Sequence, residues 1–200
     1  TAIGKNALGA LNHVDATENV AVGDAAADAL VGATGAGKWN TAVGSASLST
    51  SIDGTGNTAI GYSALYGGDC ADDNTAVGND ALKVFTGSDA VAIGSGAADV
   101  AVSQSNLTAV GAGALGAATS GNHNTAVGTD SLKTVDGANN TAVGSGTLGA
   151  DCVSNNVAMG YAALNDFTGS NATAIGSGAA DVAVGNASIT AVGKDALGAA

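Results

Sequence analysis

A four-residue word, Thr/Val-Ala-Val/Ile/Met-Gly, recurs twelve times in this chain of 200 residues, and no other feature constrains the fold as much. It ends at Gly4, Gly23, Gly44, Gly61, Gly78, Gly94, Gly111, Gly128, Gly144, Gly160, Gly176 and Gly193. Successive glycines lie 16 or 17 residues apart from Gly44 onward, and 19 and 21 apart in the first two steps. A period of that size marks a solenoid, with one unit per turn and each turn touching only its neighbours. Asn precedes seven of the words (Asn19, Asn40, Asn57, Asn74, Asn124, Asn140, Asn156). Leu follows nine of the glycines four residues on, as at Leu48, Leu65 and Leu82, with Ala27, Ala98 and Ala180 as the exceptions. Turn formers such as Asp53-Gly54, Ser120-Gly121 and Asp136-Gly137 fill the interval before the next Asn. Each unit therefore reads as a strand, a short second strand or bend, and a turn.

Period-two alternation sets Thr41 and Val43 on one face of a strand and Ala42 and Gly44 on the other. Stacking then makes ladders along the axis. The Val/Ile/Met ladder (Val22, Val43, Ile60, Val77, Ile93) and the Leu ladder are expected to form a thin apolar core. The Thr rank, interrupted by Val20, Val91 and Val157, reads as semi-buried and inward-facing. The Asn ladder can hydrogen-bond from turn to turn, as stacked amides do in cross-β arrays. Ala and Gly hold their two positions in all twelve units, so whatever lies opposite approaches the backbone closely. That face either lines a narrow roll or packs against identical faces of other chains around a shared axis. With about 4.8 Å per turn, twelve turns give a rod roughly 55 Å long.

Composition agrees with a solenoid rather than an ordinary globule or a disordered chain. There are 32 Gly, no Pro and 3% aromatic residues, yet the chain is 46% hydrophobic and only 11% charged. A net charge of −12 with five basic residues leaves no basic patch for a phosphate backbone and disfavours anionic membranes. No apolar run approaches the roughly 20 residues of a membrane helix, and no signal peptide opens the chain. The sequence begins within a repeat, as a fragment of a longer fibre would, and residues 1–200 read as a single repetitive domain.

A higher order lies above the single unit. Residues 75–118 resemble 157–200, and Ser95 to Val102 recurs unchanged as Ser177 to Val184, so five units form a super-repeat. The word Asn-Thr-Ala-Val-Gly with its following Ala-Leu, clearest at Asn57 to Gly61 and Asn124 to Gly128, resembles the head repeat of YadA-like trimeric autotransporter adhesins and related repeats of bacteriophage tail fibres. The resemblance covers the whole chain, although the units here are longer and carry Thr where that family more often has Val. It implies a left-handed parallel β-roll, a side-by-side homotrimer, an extracellular location on a cell surface or virion, and attachment to a surface or host.

No constellation for catalysis or cofactor binding emerges, and the expectation is a non-enzyme. His13 and His123 lie in non-equivalent units, without metal spacing and without a Ser/Asp partner. The hexapeptide pattern of left-handed β-helix acyltransferases fits Ile60-Gly61-x-x-Ala64 but fails in the following hexads. Gly32 to Lys38 resembles a phosphate-binding loop, but its spacing is wrong and Trp39 stands where Ser or Thr is required; it falls in the longest step, as a protruding loop. Asp69, Asp72 and Asp73 are of the ligand type for a hard cation, but the super-repeat counterpart keeps only Asp151, and a solvated acidic turn is the simpler reading. Cys70 and Cys152 are super-repeat equivalents roughly 24 Å apart, beyond disulfide reach within one chain; they are either packed thiols or interchain cross-links. Asn106, Asn139, Asn171 and Asn186 fall in Asn-x-Ser/Thr sequences, as chance allows in so Asn- and Thr-rich a repeat. Besides the adhesive fibre, a monomeric ice- or crystal-binding solenoid and a plain end-to-end filament are compatible with the sequence.

Overall fold

The computed structural model describes residues 1–10, 17–30, 37–51, 53–68, 71–182 and 188–198. Every repeat word forms one short strand: β1 (Ala2–Ile3), β2 (Val20–Val22), β3 (Thr41–Val43), β4 (Thr58–Ile60), β5 (Thr75–Val77), β6 (Val91–Ile93), β7 (Thr108–Val110), β8 (Thr125–Val127), β9 (Thr141–Val143), β10 (Val157–Met159), β11 (Thr173–Ile175) and β12 (Thr190–Val192). They make a single parallel sheet in chain order. Equivalent residues pair throughout, as Ala42 with Ala59 and Ala59 with Ala76. The fold is an all-β parallel solenoid with no helix among the described residues.

The alternation along the strand is the expected one, but its sense is reversed. The Ala of every internal word, from Ala21 to Ala174, is buried. The third residue points outward: Val43 is 36% exposed, Ile93 42% and Met159 48%. The Val/Ile/Met ladder therefore does not join the Leu ladder in the core, and the Thr rank lies half-buried on the same outward face rather than inward. The reason is room. Leu48, Leu65, Leu82, Leu115, Leu132, Leu148 and Leu164 are fully buried across from the strands. A further column reinforces them, with Phe85, Ala101, Ala118, Val135, Cys152 and Phe167 also buried. Only a methyl fits between that wall and the sheet. Of the two readings of the Ala/Gly face, the narrow roll within one chain is the one observed.

The rest of the turn is not a second strand. Two residues after each glycine, and again at the Leu position, the backbone is left-handed; Leu φ values run from 49° to 55°. Among the described residues, none of the non-glycine residues with positive φ is β-branched, as sterics require. These corners stay in the inter-turn ladder: the Leu65 amide donates to Ala81 O at 3.0 Å and Leu82 to Ala97 O at 3.0 Å. The invariant glycine has a separate cause. At Gly78, φ is +140° and a Cβ would sit 2.4 Å from the carbonyl oxygen of Gly94 in the next turn.

The buried Asn side chains act on the backbone rather than on one another. Asn57 Oδ1 accepts the backbone N–H of Asn74 at 2.9 Å, and its Nδ2 donates to Ala71 O at 3.0 Å. Asn40 does the same, accepting the Asn57 N–H and donating to Gly54 O, while Asn140 accepts the Asn156 N–H but leaves its Nδ2 without a partner. The column breaks where Ala90 and Leu107, and later Ala172 and Ile189, replace Asn, which gives the five-turn period a physical content. Buried Gln104 bridges the first break by donating to Ala118 O at 3.0 Å, and Phe85 and Phe167 fill the core in the turns just before the two breaks.

Replacing Asn57 with Ala leaves the buried Asn74 N–H without its acceptor. We expect a loss of about 1–3 kcal/mol in denaturant unfolding. Ser103→Ala, at an exposed bend with ordinary φ, should change stability by less than about 0.5 kcal/mol.

Candidate functional site

With Ala and Leu committed to the core and Asn to the backbone, the outward residues of the turn are those free to act. They fall on two surfaces. The first is the sheet face, two columns wide, with Thr or Val in one and Val, Ile or Met in the other. Stacked rungs about 4.8 Å apart, with columns about 6.6 Å apart, make it flat, regular and nearly uncharged.

The second surface is the corner that follows each glycine. The first, second, fifth and sixth residues after the glycine share it. Here the repeat supplies its own comparison, because six of the twelve turns place Ser, Gly, Ala or Asp at both the first and fifth positions and the other six do not. Tyr62 and Tyr66 occupy both in one turn, and Tyr161 and Asn165 do so in another. Lys83 pairs with Asp80 at 3.1 Å and Lys133 with Asp130 at 3.0 Å. The hydrogen bond and charge of Asp80 hold the Lys83 ammonium above its ordinary pKa. Partial burial, then the neighbouring Asp80 carboxylate, raises that of Asp99. A cleft of about 300 Å³ opens on this surface, lined by Asp130, Lys133, Gly146, Gly149, Ala150, Asn165 and Asp166. The sequence reading passed over these residues because it followed what recurs. The signal that could have found them is the departure from the repeat at exposed positions.

The acidic turn is held to the backbone. Asp72 Oδ1 accepts the Thr55 N–H at 2.8 Å, and the Asp73 N–H donates to Thr55 O at 2.9 Å. Asp69 lies outside the described residues, and among those described no group of three His, Cys, Asp or Glu could hold a metal. Asp136 likewise accepts the Thr119 and Ser120 N–H groups. Trp39 is 61% exposed, and its indole N–H donates to the Glu18 carboxylate; of the glycine-rich segment before it, residues 32–36 lie outside the described residues. His123 sits at an exposed corner with φ 60°, and His13 and Cys70 lie outside the described residues. Cys152 is a free, buried thiol whose pKa burial pushes up to about 11. Within the chain it is a packing group in the buried column between Val135 and Phe167.

These features define the class: a parallel β-solenoid repeat protein with a flat Thr/Val face and a polar, aromatic-edged corner. No protein-family model, curated protein or solved structure matches the chain.

In a Cys70→Ser background, Cys152 should resist alkylation at neutral pH until the chain unfolds. Because its folded pKa lies above the unfolded value of about 9, the unfolded chain loses that proton first on alkaline titration. Stability should therefore fall as pH rises from about 9 to about 11, and Cys152→Ala should remove that part of the fall.

Proposed function

We propose that this chain is a segment of a non-enzymatic, extracellular attachment fibre in which three copies run side by side, as in the YadA-like heads and phage tail-fibre repeats that its sequence resembles. In that reading the roll is left-handed. The observation that carries the proposal is the outward Val/Ile/Met column running the length of the sheet beside the Thr rank. A strip roughly 55 Å by 7 Å has an area on the order of 400 Å², the size at which an exposed apolar patch signals a contact surface. The face turned to the shared axis is then the Thr/Val face, with Ala and Gly kept inside each chain.

Parallel, unstaggered copies suit this strip. Each rung meets its own equivalent, so Thr meets Thr and the Val20, Val91 and Val157 rungs meet Val. An antiparallel contact would set those three against Thr173, Thr108 and Thr41 and leave hydroxyls facing methyl groups. A net charge of −12 per chain does not oppose this, because the strip itself is almost uncharged. Repetition along a rod and around an axis also supplies avidity, so each contact with a target can be weak.

A second reading uses the same face. The Thr rank points outward, on a rigid lattice of about 4.8 by 6.6 Å, which suits binding of ice or another ordered surface by a monomer.

Light scattering of the purified chain, with and without reductant, separates the two. Three chains under both conditions are expected, and Ile93→Asp with Val127→Asp should release monomers without loss of the β-sheet spectrum. A clean monomer would contradict the trimer, and strong inhibition of ice recrystallisation by that monomer would establish the second reading.

A further inference from the structure

The cleft on the corner surface exists because of what the repeat omits there. Gly146 and Gly149 form its floor in the β9 turn, while the turns on either side carry Asp130 and Lys133, and Asn165 and Asp166. Gly149 is the more telling of the two. Its φ is not positive, so the backbone does not demand glycine; what a side chain would meet is Asn165 Oδ1, 2.5 Å from the position of its Cβ. The floor is fixed on both sides. The Gly146 N–H donates to Thr129 O at 3.0 Å, the Ala150 N–H to Asn165 O at 2.8 Å, and the Thr134 hydroxyl to Gly149 O at 2.7 Å.

Donors and acceptors alternate around this floor. Asp130 and Lys133, 3.0 Å apart, set a carboxylate acceptor beside an ammonium donor. Opposite, Asn165 Nδ2 donates to Asp166 Oδ1 at 3.0 Å, which orients the amide. Tyr161, 68% exposed, opens the same turn as Asn165 and offers an aromatic face on that turn, outside the lining of the cleft. Side-by-side donor and acceptor match adjacent hydroxyl groups, each of which both gives and receives a hydrogen bond. An exposed tyrosine beside a polar cleft suits a ring with one apolar face. Two carboxylates against one ammonium, in a chain of net charge −12, disfavour an acidic ligand.

We infer that the cleft between Asp130–Lys133 and Asn165–Asp166 binds a neutral saccharide, and that this is the contact through which the rod attaches. The inference rests on the attachment reading above and names its ligand class. A cleft of this kind, fixed before the ligand arrives, gives weak single-site binding that a multi-chain fibre multiplies.

The test is retention on immobilised neutral oligosaccharides ending in glucose, galactose, mannose or N-acetylglucosamine, with sialylated oligosaccharides alongside. The chain should be retained on at least one neutral terminus and eluted by the matching free monosaccharide. Asp130→Ala, which removes an acceptor, and Gly149→Leu, which fills the floor, should each reduce retention at least tenfold with the melting temperature unchanged. Tyr62→Ala, on the same surface five turns from the cleft floor, should leave retention unchanged. No retention on any neutral terminus, preference for the sialylated set, or retention that survives both cleft variants would overturn the proposal. Oligomeric state is fixed on the same sample, so a trimer that ignores sugars defeats this inference alone and a monomer that binds them defeats the trimer alone.

Discussion

A solenoid rung has to satisfy its backbone where it is not a strand, and in this chain the buried Asn carboxamide does so. Three residues per turn form regular β-structure; the remainder bends through left-handed corners. An unpaired N–H or C=O in that interior would cost about 1–3 kcal/mol, repeated at every turn. One Asn side chain takes an N–H from the next turn and returns an N–H to a carbonyl, as Asn57 does with Asn74 and Ala71. That exchange reinforces the in-line pairing of the strands, which also continues across the rungs that lack Asn. Where Asn is absent the solution changes, and Gln104 and the two Phe residues appear nearby.

The second dependence is on thickness. Because Leu and Phe fill the wall opposite the sheet, the inward strand position can hold only Ala; the glycine that closes the word can hold no Cβ for a separate reason, the backbone carbonyl of the next turn's glycine. The larger apolar residues are displaced outward. An arrangement that serves the interior thus creates an exposed, flat, apolar strip, and the proposed assembly is a response to that consequence. The corner surface is the opposite case. Nothing in the core dictates Tyr161 or Lys133, and Gly149 answers only to its neighbour Asn165 on the corner itself, so chemistry has more freedom there than in the core.

The number of rungs, their boundaries, the glycine and Asn columns and the five-turn order were all legible in the sequence, because each is set by a local requirement that recurs. Which face turned inward was not. Alternation separates Thr41 and Val43 from Ala42 and Gly44 but does not orient them, and hydrophobicity favoured the wrong side. The deciding quantity was the space left by Leu48 and its equivalents across the rung, a tertiary property. The left-handed Leu corners were also hidden, since Leu carries no propensity for positive φ and is held there by its burial and its ladder hydrogen bonds. The cleft was hidden for a different reason: its residues lie in three successive turns and break the pattern rather than express it.

The rod depends most directly on the Asn side chains closing the backbone in its interior. Hydrogen exchange resolved to single amides measures this without reference to assembly. The N–H groups of Asn57, Asn74 and Ala90 lie outside the strands, yet their partners are the buried side chains of Asn40, Asn57 and Asn74. They should exchange as slowly as the strand amides of the neighbouring rungs. Exchange at the rate of an unstructured chain would contradict the Asn-closed interior, and with it the orientation of the core and the outward face on which the proposed assembly rests.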